Sequence, residues 1–160
     1  DSIDLARFLT GQEPVAVSAL SASPAQGDTD QQSYATGLSG GAVLQSYESF
    51  TTAEFESIVM LAGDRGTLIA HGTLSGKGAG TLIRRLNGRN ELIPVRERDP
   101  HVTTIETFLA LPHTPATWMA LGEDNVIALR AAEAIRAARN KRPVSVGSAD
   151  TKTSTGGSHP

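Results

Sequence analysis

The chain has 160 residues, of which 39% are apolar and 19% charged, with a formal net charge of -3 and a pI near 5.8. That length suits one domain with an apolar core. The net negative charge gives no excess of basic residues that would attract nucleic acid or an anionic membrane surface. With no cysteine and no apolar run near the roughly 20 residues that cross a bilayer, the sequence excludes disulfides, thiolate metal sites, a cysteine nucleophile and a membrane-spanning helix.

The first predicted element is the end of a helix. Leu5, Phe8 and Leu9 share one helical face, and Gly11 follows where a left-handed C-cap is favoured. The chain starts at Asp1 rather than at a methionine, so we expect it to be part of a longer protein.

A strand and a long loop are predicted next. Val15, Val17 and Ala19 alternate with other residues over positions 14–20, which is the period of a strand. The polar stretch 21–33 is expected to form a long, mobile loop.

Three further strands have β-branched or aromatic residues at alternate positions, and they cover residues 42–50, 55–62 and 67–71. The first two are expected to form a hairpin around Thr51-Thr52. The run Gly63-Asp64-Arg65-Gly66 supplies the turn between the second and the third, since glycine tolerates the positive φ of a tight reversal. The glycine-rich residues 71–80 predict a loop.

A second hairpin is predicted around Asn87-Gly88, a dipeptide favoured in turns with positive φ. Its arms are residues 81–86 and 91–95. Pro94 indicates that the second arm lies at an edge, so the sheet is expected to end near it.

The longest helical pattern begins at Asp124, which can cap it, and ends before Pro143. Its apolar residues share one face, and they are Ile127, Ala131, Ala134, Ile135 and Ala138. Residues 144–146 favour a short last strand. The sequence therefore predicts one domain over residues 1–146 and a disordered polar tail over residues 147–160.

Motifs with a specific chemistry are few. Gly76-Lys77-Gly78 lacks the preceding strand and following helix of a dinucleotide-binding loop, so this chain is not expected to bind NAD alone. Four histidines without HExxH spacing give no metal site. Asp1 and Asp4, at i and i+3, can form a polar wall of a cleft or compensate the helix dipole, and His71 ends a strand where it can face a ligand.

Three segments together resemble one family of oxidoreductases, and they occur in the family's order. They are SIDLARFLTG at 2–11, GDRGTL at 63–68 and ALRAAEAIR at 128–136, the last continuing to RPV at 142–144. The family is that of glucose-fructose oxidoreductase, inositol dehydrogenase and the rhizopine-catabolism proteins (Gfo/Idh/MocA). The resemblance covers the chain from Asp1 to about Val146.

The resemblance implies an α+β fold, with an open, mostly antiparallel sheet covered on one face by helices. It also implies an upstream Rossmann domain with NAD or NADP, a sugar or polyol as substrate, and a homo-oligomer formed through the open sheet face. The family's first helix usually begins His-x-x-Asp. Here Asp1 takes the catalytic histidine position and Asp4 matches the aspartate, with His71 a further candidate for substrate binding. An aspartate, with an ordinary pKa of roughly 3.9 against about 6.5 for histidine, is the weaker base at neutral pH.

Two other interpretations stay open. A catalytically inactive family member can act as a binding or scaffolding protein, and the aspartate at position 1 favours this slightly. An unrelated structural α+β domain is the other. We expect a cytoplasmic protein without nucleic-acid or membrane partners, with export left open.

Overall fold

A computed structural model of the chain describes residues 2–22, 31–74 and 78–139. In chain order these form α1 (Ser2–Thr10), β1 (Pro14–Ala22), β2 (Gln31–Leu38), β3 (Val43–Ser49), β4 (Ile58–Gly63), β5 (Gly66–His71), β6 (Thr81–Leu86), β7 (Arg89–Ile93), α2 (Pro100–Ala110) and α3 (Gly122–Arg139). The fold is α+β, as expected, and its strands form two antiparallel sheets. In the described part of the chain, no helix is long and apolar enough to cross a membrane.

The chain divides into two compact units. The first contains α1, the sheet β1-β2-β3 and the part of α3 from Ala128 onward, and the second runs from Ser49 to Ile127. The predicted tail at 147–160 and the short strand at 144–146 lie outside the described residues.

Both helices of the first unit pack against its sheet. Its core joins Ile3 of α1, Tyr34 of β2 and the pair Ala131 and Ile135 of α3. Each of the four is at most 6% exposed. The predicted arrangement of first and last helices behind a sheet is therefore found here, although Phe8 and Leu9, assigned to the apolar face of α1, are exposed.

Strand β2 was missed from the sequence. Tyr34, Thr36 and Leu38 alternate with less buried residues and point to the core, which is a strand pattern made of mixed polar and apolar side chains. Residues 31–33, which the sequence assigned to a loop, pair with β1 instead. Residues 23–30 of that predicted loop lie outside the description.

The hairpin predicted between β3 and β4 is wrong, because the two strands belong to different sheets. Ser49 Oγ accepts hydrogen bonds from the amides of Thr51 and Thr52 at 3.2 and 3.0 Å, and Glu54 has a φ of +53°. These two features end the strand and separate β3 from β4.

The second sheet follows the predicted turns closely. Gly63 pairs with Gly66 across the β4–β5 turn, and Asn87 and Gly88, with φ of +50° and +72°, join β6 to β7. The order β4-β5-β6-β7 places β7 at an edge, and that strand ends at Ile93, just before Pro94. The predicted end of the sheet is confirmed.

Helix α2 was not predicted, although its start carries a strong signal. Asp99 accepts hydrogen bonds from the amides of His101 and Val102 at 2.8 and 3.2 Å, and Pro100 follows at the first helical position. In α3, Asp124 occupies the third helical position rather than the predicted cap position. There its carboxylate accepts a hydrogen bond from the amide of Leu121 at 2.7 Å.

Candidate functional site

The predicted catalytic residue, Asp1, lies outside the described residues, and Asp4 lies on α1. Oδ1 of Asp4 is 3.1 Å from the guanidinium of Arg7, which also contacts the carboxylate of Glu13 at 2.8 Å. The side chain of Arg7 is only 10% exposed. Asp4 is therefore held by an ion pair with Arg7 of the same helix. The spacing of Asp1 and Asp4 in the sequence did not predict this ion pair.

His71 lies at the end of β5, where it faces Ile58 of β4 and Thr81 of β6. Its Nδ1 is 3.5 Å from the carboxylate of Glu56, and its side chain is one-third exposed. His71 belongs to the second compact unit and Asp4 to the first, so the two are not assigned to one site.

A cluster of polar side chains in the first unit was missed from the sequence. The carboxylate of Glu48, on β3, accepts three hydrogen bonds from two other elements. Its Oε1 accepts from Ser2 Oγ of α1 at 2.9 Å and from the Tyr34 phenol of β2 at 3.0 Å, while its Oε2 accepts from Gln32 Nε2 at 3.0 Å. We call Ser2, Gln32, Tyr34 and Glu48 the Glu48 cluster.

The contacts within the cluster determine the protonation states of Glu48 and Tyr34. Burial alone would raise the pKa of Glu48, but hydrogen bonds from Gln32, Ser2 and Tyr34 outweigh it, and the pKa falls below its usual 4.5. Burial raises the pKa of Tyr34 above its usual 10.0, and the charge of Glu48 adds to that rise. Glu48 is therefore a carboxylate and Tyr34 a neutral phenol at neutral pH.

One signal in the sequence could have identified this cluster. Gln32 and Tyr34 are two residues apart and so lie on one face of β2. Ser46, whose hydroxyl donates to Glu48 Oε1 at 3.5 Å, likewise lies on the same face of β3 as Glu48. Because residues 21–33 were predicted to form a loop, Gln32 was expected on no strand and Glu48 had no predicted partner.

The described strands do not have the topology of a Rossmann domain. Both sheets are antiparallel, so there is no parallel strand–helix–strand unit whose helix N-terminus would receive a pyrophosphate. Nor do the described side chains include a group of three or more His, Asp or Glu placed to hold a metal ion. The hydrogen bonds of the Glu48 cluster connect its members to one another, and its phenol, Tyr34, is buried.

No protein-family model matches the chain. Solved structures do. UDP-N-acetylglucosamine 3-dehydrogenase GnnA from Acidithiobacillus ferrooxidans matches 85% of this chain with a TM-score of 0.75 and 25% sequence identity. The aldose-aldose oxidoreductase of Caulobacter crescentus matches 86% with a TM-score of 0.76 and 21% identity. The WlbA dehydrogenase of Bordetella pertussis, solved with NADH and UDP-GlcNAcA, matches 86% with a TM-score of 0.59 and 18% identity.

The chain spans less than half of each of these proteins, namely 43%, 42% and 39% of their lengths. The two matches below 25% identity establish a shared fold. The structural neighbours of this chain are thus Gfo/Idh/MocA-type oxidoreductases, and its fold is that of their C-terminal domains, as the sequence resemblance implied.

Proposed function

We propose that this chain is the substrate-binding and oligomerisation domain of an NAD(P)-dependent oxidoreductase that acts on a secondary alcohol of a sugar or polyol. The observation that carries the proposal is the match to GnnA over 85% of the chain, at 25% identity. GnnA is a dehydrogenase of a nucleotide sugar, and the cofactor would be held mainly by a domain outside this chain.

The roles of individual residues belong to the same proposal. Asp1 is the catalytic candidate, because it takes the place of the histidine in the family's first helix. Asp4 and His71 are candidates for substrate binding. Ser2, at the start of α1, belongs to the Glu48 cluster, so this end of the helix has a polar environment.

The proposed partner, besides the small molecule, is a second copy of the protein. The sheet β4-β5-β6-β7 supports this idea, because no described residue of the second unit is buried and several apolar side chains of the sheet are exposed. Apolar surface of this kind usually marks an interface.

The test uses the full polypeptide that contains this chain. Formation of NADH from NAD, or of NADPH from NADP, is followed by absorbance with UDP-N-acetylglucosamine, an aldose or myo-inositol as the alcohol. We expect turnover with at least one alcohol, and a loss of about 100-fold in kcat/KM for Asp1→Asn, which removes the proposed base. Asp64→Asn, in the β4–β5 turn, is the control and should keep its activity.

The competing interpretation is a catalytically inactive binding or scaffolding protein, and the aspartate at position 1 favours it. Absence of NAD(P) binding by the full polypeptide in calorimetry would support that alternative and remove the proposed activity. Equal activity of Asp1→Asn and the parent protein would leave the oxidoreductase in place but remove Asp1 from its chemistry.

A further inference from the structure

Arg7 lies in the last turn of α1, and only 10% of its side chain is exposed. Its Nε and Nη2 donate to the two carboxylate oxygens of Glu13 at 2.8 and 3.0 Å, which makes a bidentate pair. Its third nitrogen, Nη1, donates to Oδ1 of Asp4 at 3.1 Å. One guanidinium therefore holds two carboxylates in a fixed geometry, because its donors lie in one rigid plane.

Glu13 connects this guanidinium to the first sheet. The backbone carbonyl of Glu13 accepts from the amide of Ser39 at 2.8 Å, and the amide of Glu13 donates to Ser39 Oγ at 3.1 Å. Ser39 lies in the turn between β2 and β3, and Glu13 directly precedes β1. The contacts thus run from the sheet through Glu13 and Arg7 to Asp4.

The carboxylate of Asp4 is open to a ligand. Its side chain is 38% exposed, and among the described residues only Arg7 donates a hydrogen bond to it. Since the guanidinium engages Oδ1, Oδ2 is the oxygen left to accept from a ligand hydroxyl. A side chain that is already ordered loses less conformational entropy when a ligand binds to it.

We propose that Arg7 is a positioning residue, which keeps the carboxylate of Asp4 in one orientation for a substrate hydroxyl by connecting it to the sheet through Glu13. The inference rests on the proposed function for the binding role of Asp4. That Arg7 orders the side chain of Asp4 is a separate claim and can be tested alone.

The first experiment compares the full polypeptide with its Arg7→Met variant, which keeps an apolar side chain and removes the guanidinium. The released carboxylates of Asp4 and Glu13 are 38% and 54% exposed and can be hydrated, so we expect the variant to fold. The three-bond Hα–Hβ couplings of Asp4 should indicate one rotamer in the parent and averaged rotamers in Arg7→Met. Arg84→Met is the matched control, because it releases Glu91 in the other sheet and should keep the parent couplings. Averaged couplings in the parent, or unchanged couplings in Arg7→Met, would overturn the proposal.

A second variant, Glu13→Ala, removes the connection to the sheet and keeps the guanidinium. The backbone hydrogen bonds of Glu13 to Ser39 do not need its side chain and should persist. We expect the Asp4 couplings to move part of the way toward averaged values, because Arg7 then has only the helix to hold it. Parent-like couplings in Glu13→Ala would overturn the role of the sheet.

Kinetics test the link to substrate binding, with whichever of UDP-N-acetylglucosamine, an aldose or myo-inositol the parent oxidises. A contact made equally in the ground state and the transition state affects KM, so Arg7→Met should raise KM about tenfold and change kcat by less than about twofold. If Arg7 acts through Asp4, this rise should nearly disappear in the Asp4→Ala background, which has no carboxylate to orient. Equal rises in both backgrounds would overturn the link to Asp4. If the parent oxidises none of these alcohols, the proposed function fails, and the couplings still decide whether Arg7 orders Asp4.

Discussion

The phenol of Tyr34 donates a 3.0 Å hydrogen bond to Oε1 of Glu48, and this pair has a raised pKa on the tyrosine and a lowered pKa on the glutamate. Burial is the main cause for Tyr34, whereas for Glu48 the donated hydrogen bonds outweigh burial. The neutral phenol and the charged carboxylate are therefore both favoured by folding, and each makes the stability of the first unit depend on pH.

The first prediction is that the first unit is most stable at intermediate pH and loses stability toward both acid and alkaline pH. The pKa of Glu48 is lowered on folding, so its contribution is present above about pH 4.5 and is lost as the pH falls through the folded value. The pKa of Tyr34 is raised, so its contribution is present below about pH 10.0 and is lost as the pH rises through the folded value. Urea unfolding measures the free energy of unfolding across this range. Compared with the parent, Glu48→Gln should lose less stability at acid pH, and Tyr34→Phe should lose less at alkaline pH. Identical pH profiles for parent and variants would contradict the assignment.

The second prediction concerns two glycines of the same turn. Gly66 has a φ of +151°, and a Cβ there would lie 2.7 Å from the backbone oxygen of Arg85 on β6. A Cβ at Gly63 would meet nothing within 4 Å. We expect Gly66→Ala to lower the free energy of unfolding by about 2–3 kcal/mol, and Gly63→Ala to change it by less than about 1 kcal/mol. Chemical denaturation measures both, and equal losses would show that the contact with β6 does not decide the cost.

The second sheet was predictable because its turns carry local signals. Gly63, Gly66, Asn87 and Gly88 are residues that tight reversals require, and the strands between them alternate over short distances. The first sheet depends on less local features. Strand β2 mixes polar, small and larger apolar residues, and its inward positions are recognised only once Tyr34 is known to contact α1 and α3.

The candidate site was predictable only in part, for the same physical reason. The place of Asp4 on the first helix could be read from the sequence, because the helical pattern of its neighbours is local. The Glu48 cluster joins residues 46 positions apart, from Ser2 to Glu48, and depends on the pairing of β2 with β3. No local pattern specifies which donors will meet a carboxylate at such a separation.

The third prediction uses a polar atom in the core. Thr36 of β2 is 0% exposed, and within the described chain its Oγ1 has no hydrogen-bond partner. A buried hydroxyl without a partner loses its contact with water and gains nothing in return. Thr36→Val keeps the shape and should raise the free energy of unfolding by about 1 kcal/mol. The more exposed Thr67→Val is the control, and a clear loss of stability for Thr36→Val would mean that the hydroxyl does have a partner.

The last prediction concerns the open face of the sheet β4-β5-β6-β7. Four apolar residues pair directly across the strands and therefore share one face, in the order Met60, Ile69, Ile83, Leu92. Met60 and Leu92, at the two ends of this row, are 65% and 67% exposed. The next row, on the opposite face, ends in the less exposed Val59 and Ile93. At the ends of these two rows, the face with Met60 is therefore the more exposed one.

A second copy of the chain can cover that face, since two-fold symmetry lets one patch serve both partners. Light scattering of the chain at micromolar concentration should report a dimer or a larger species. Met60→Lys places a charge within the row and should give a monomer, because burying an unpaired ammonium is costly. Leu61→Lys alters the adjacent residue on the other face and should leave the assembly intact. A parent chain that stays monomeric would remove this interface, and dissociation by Leu61→Lys but not by Met60→Lys would move it to the opposite face of the sheet.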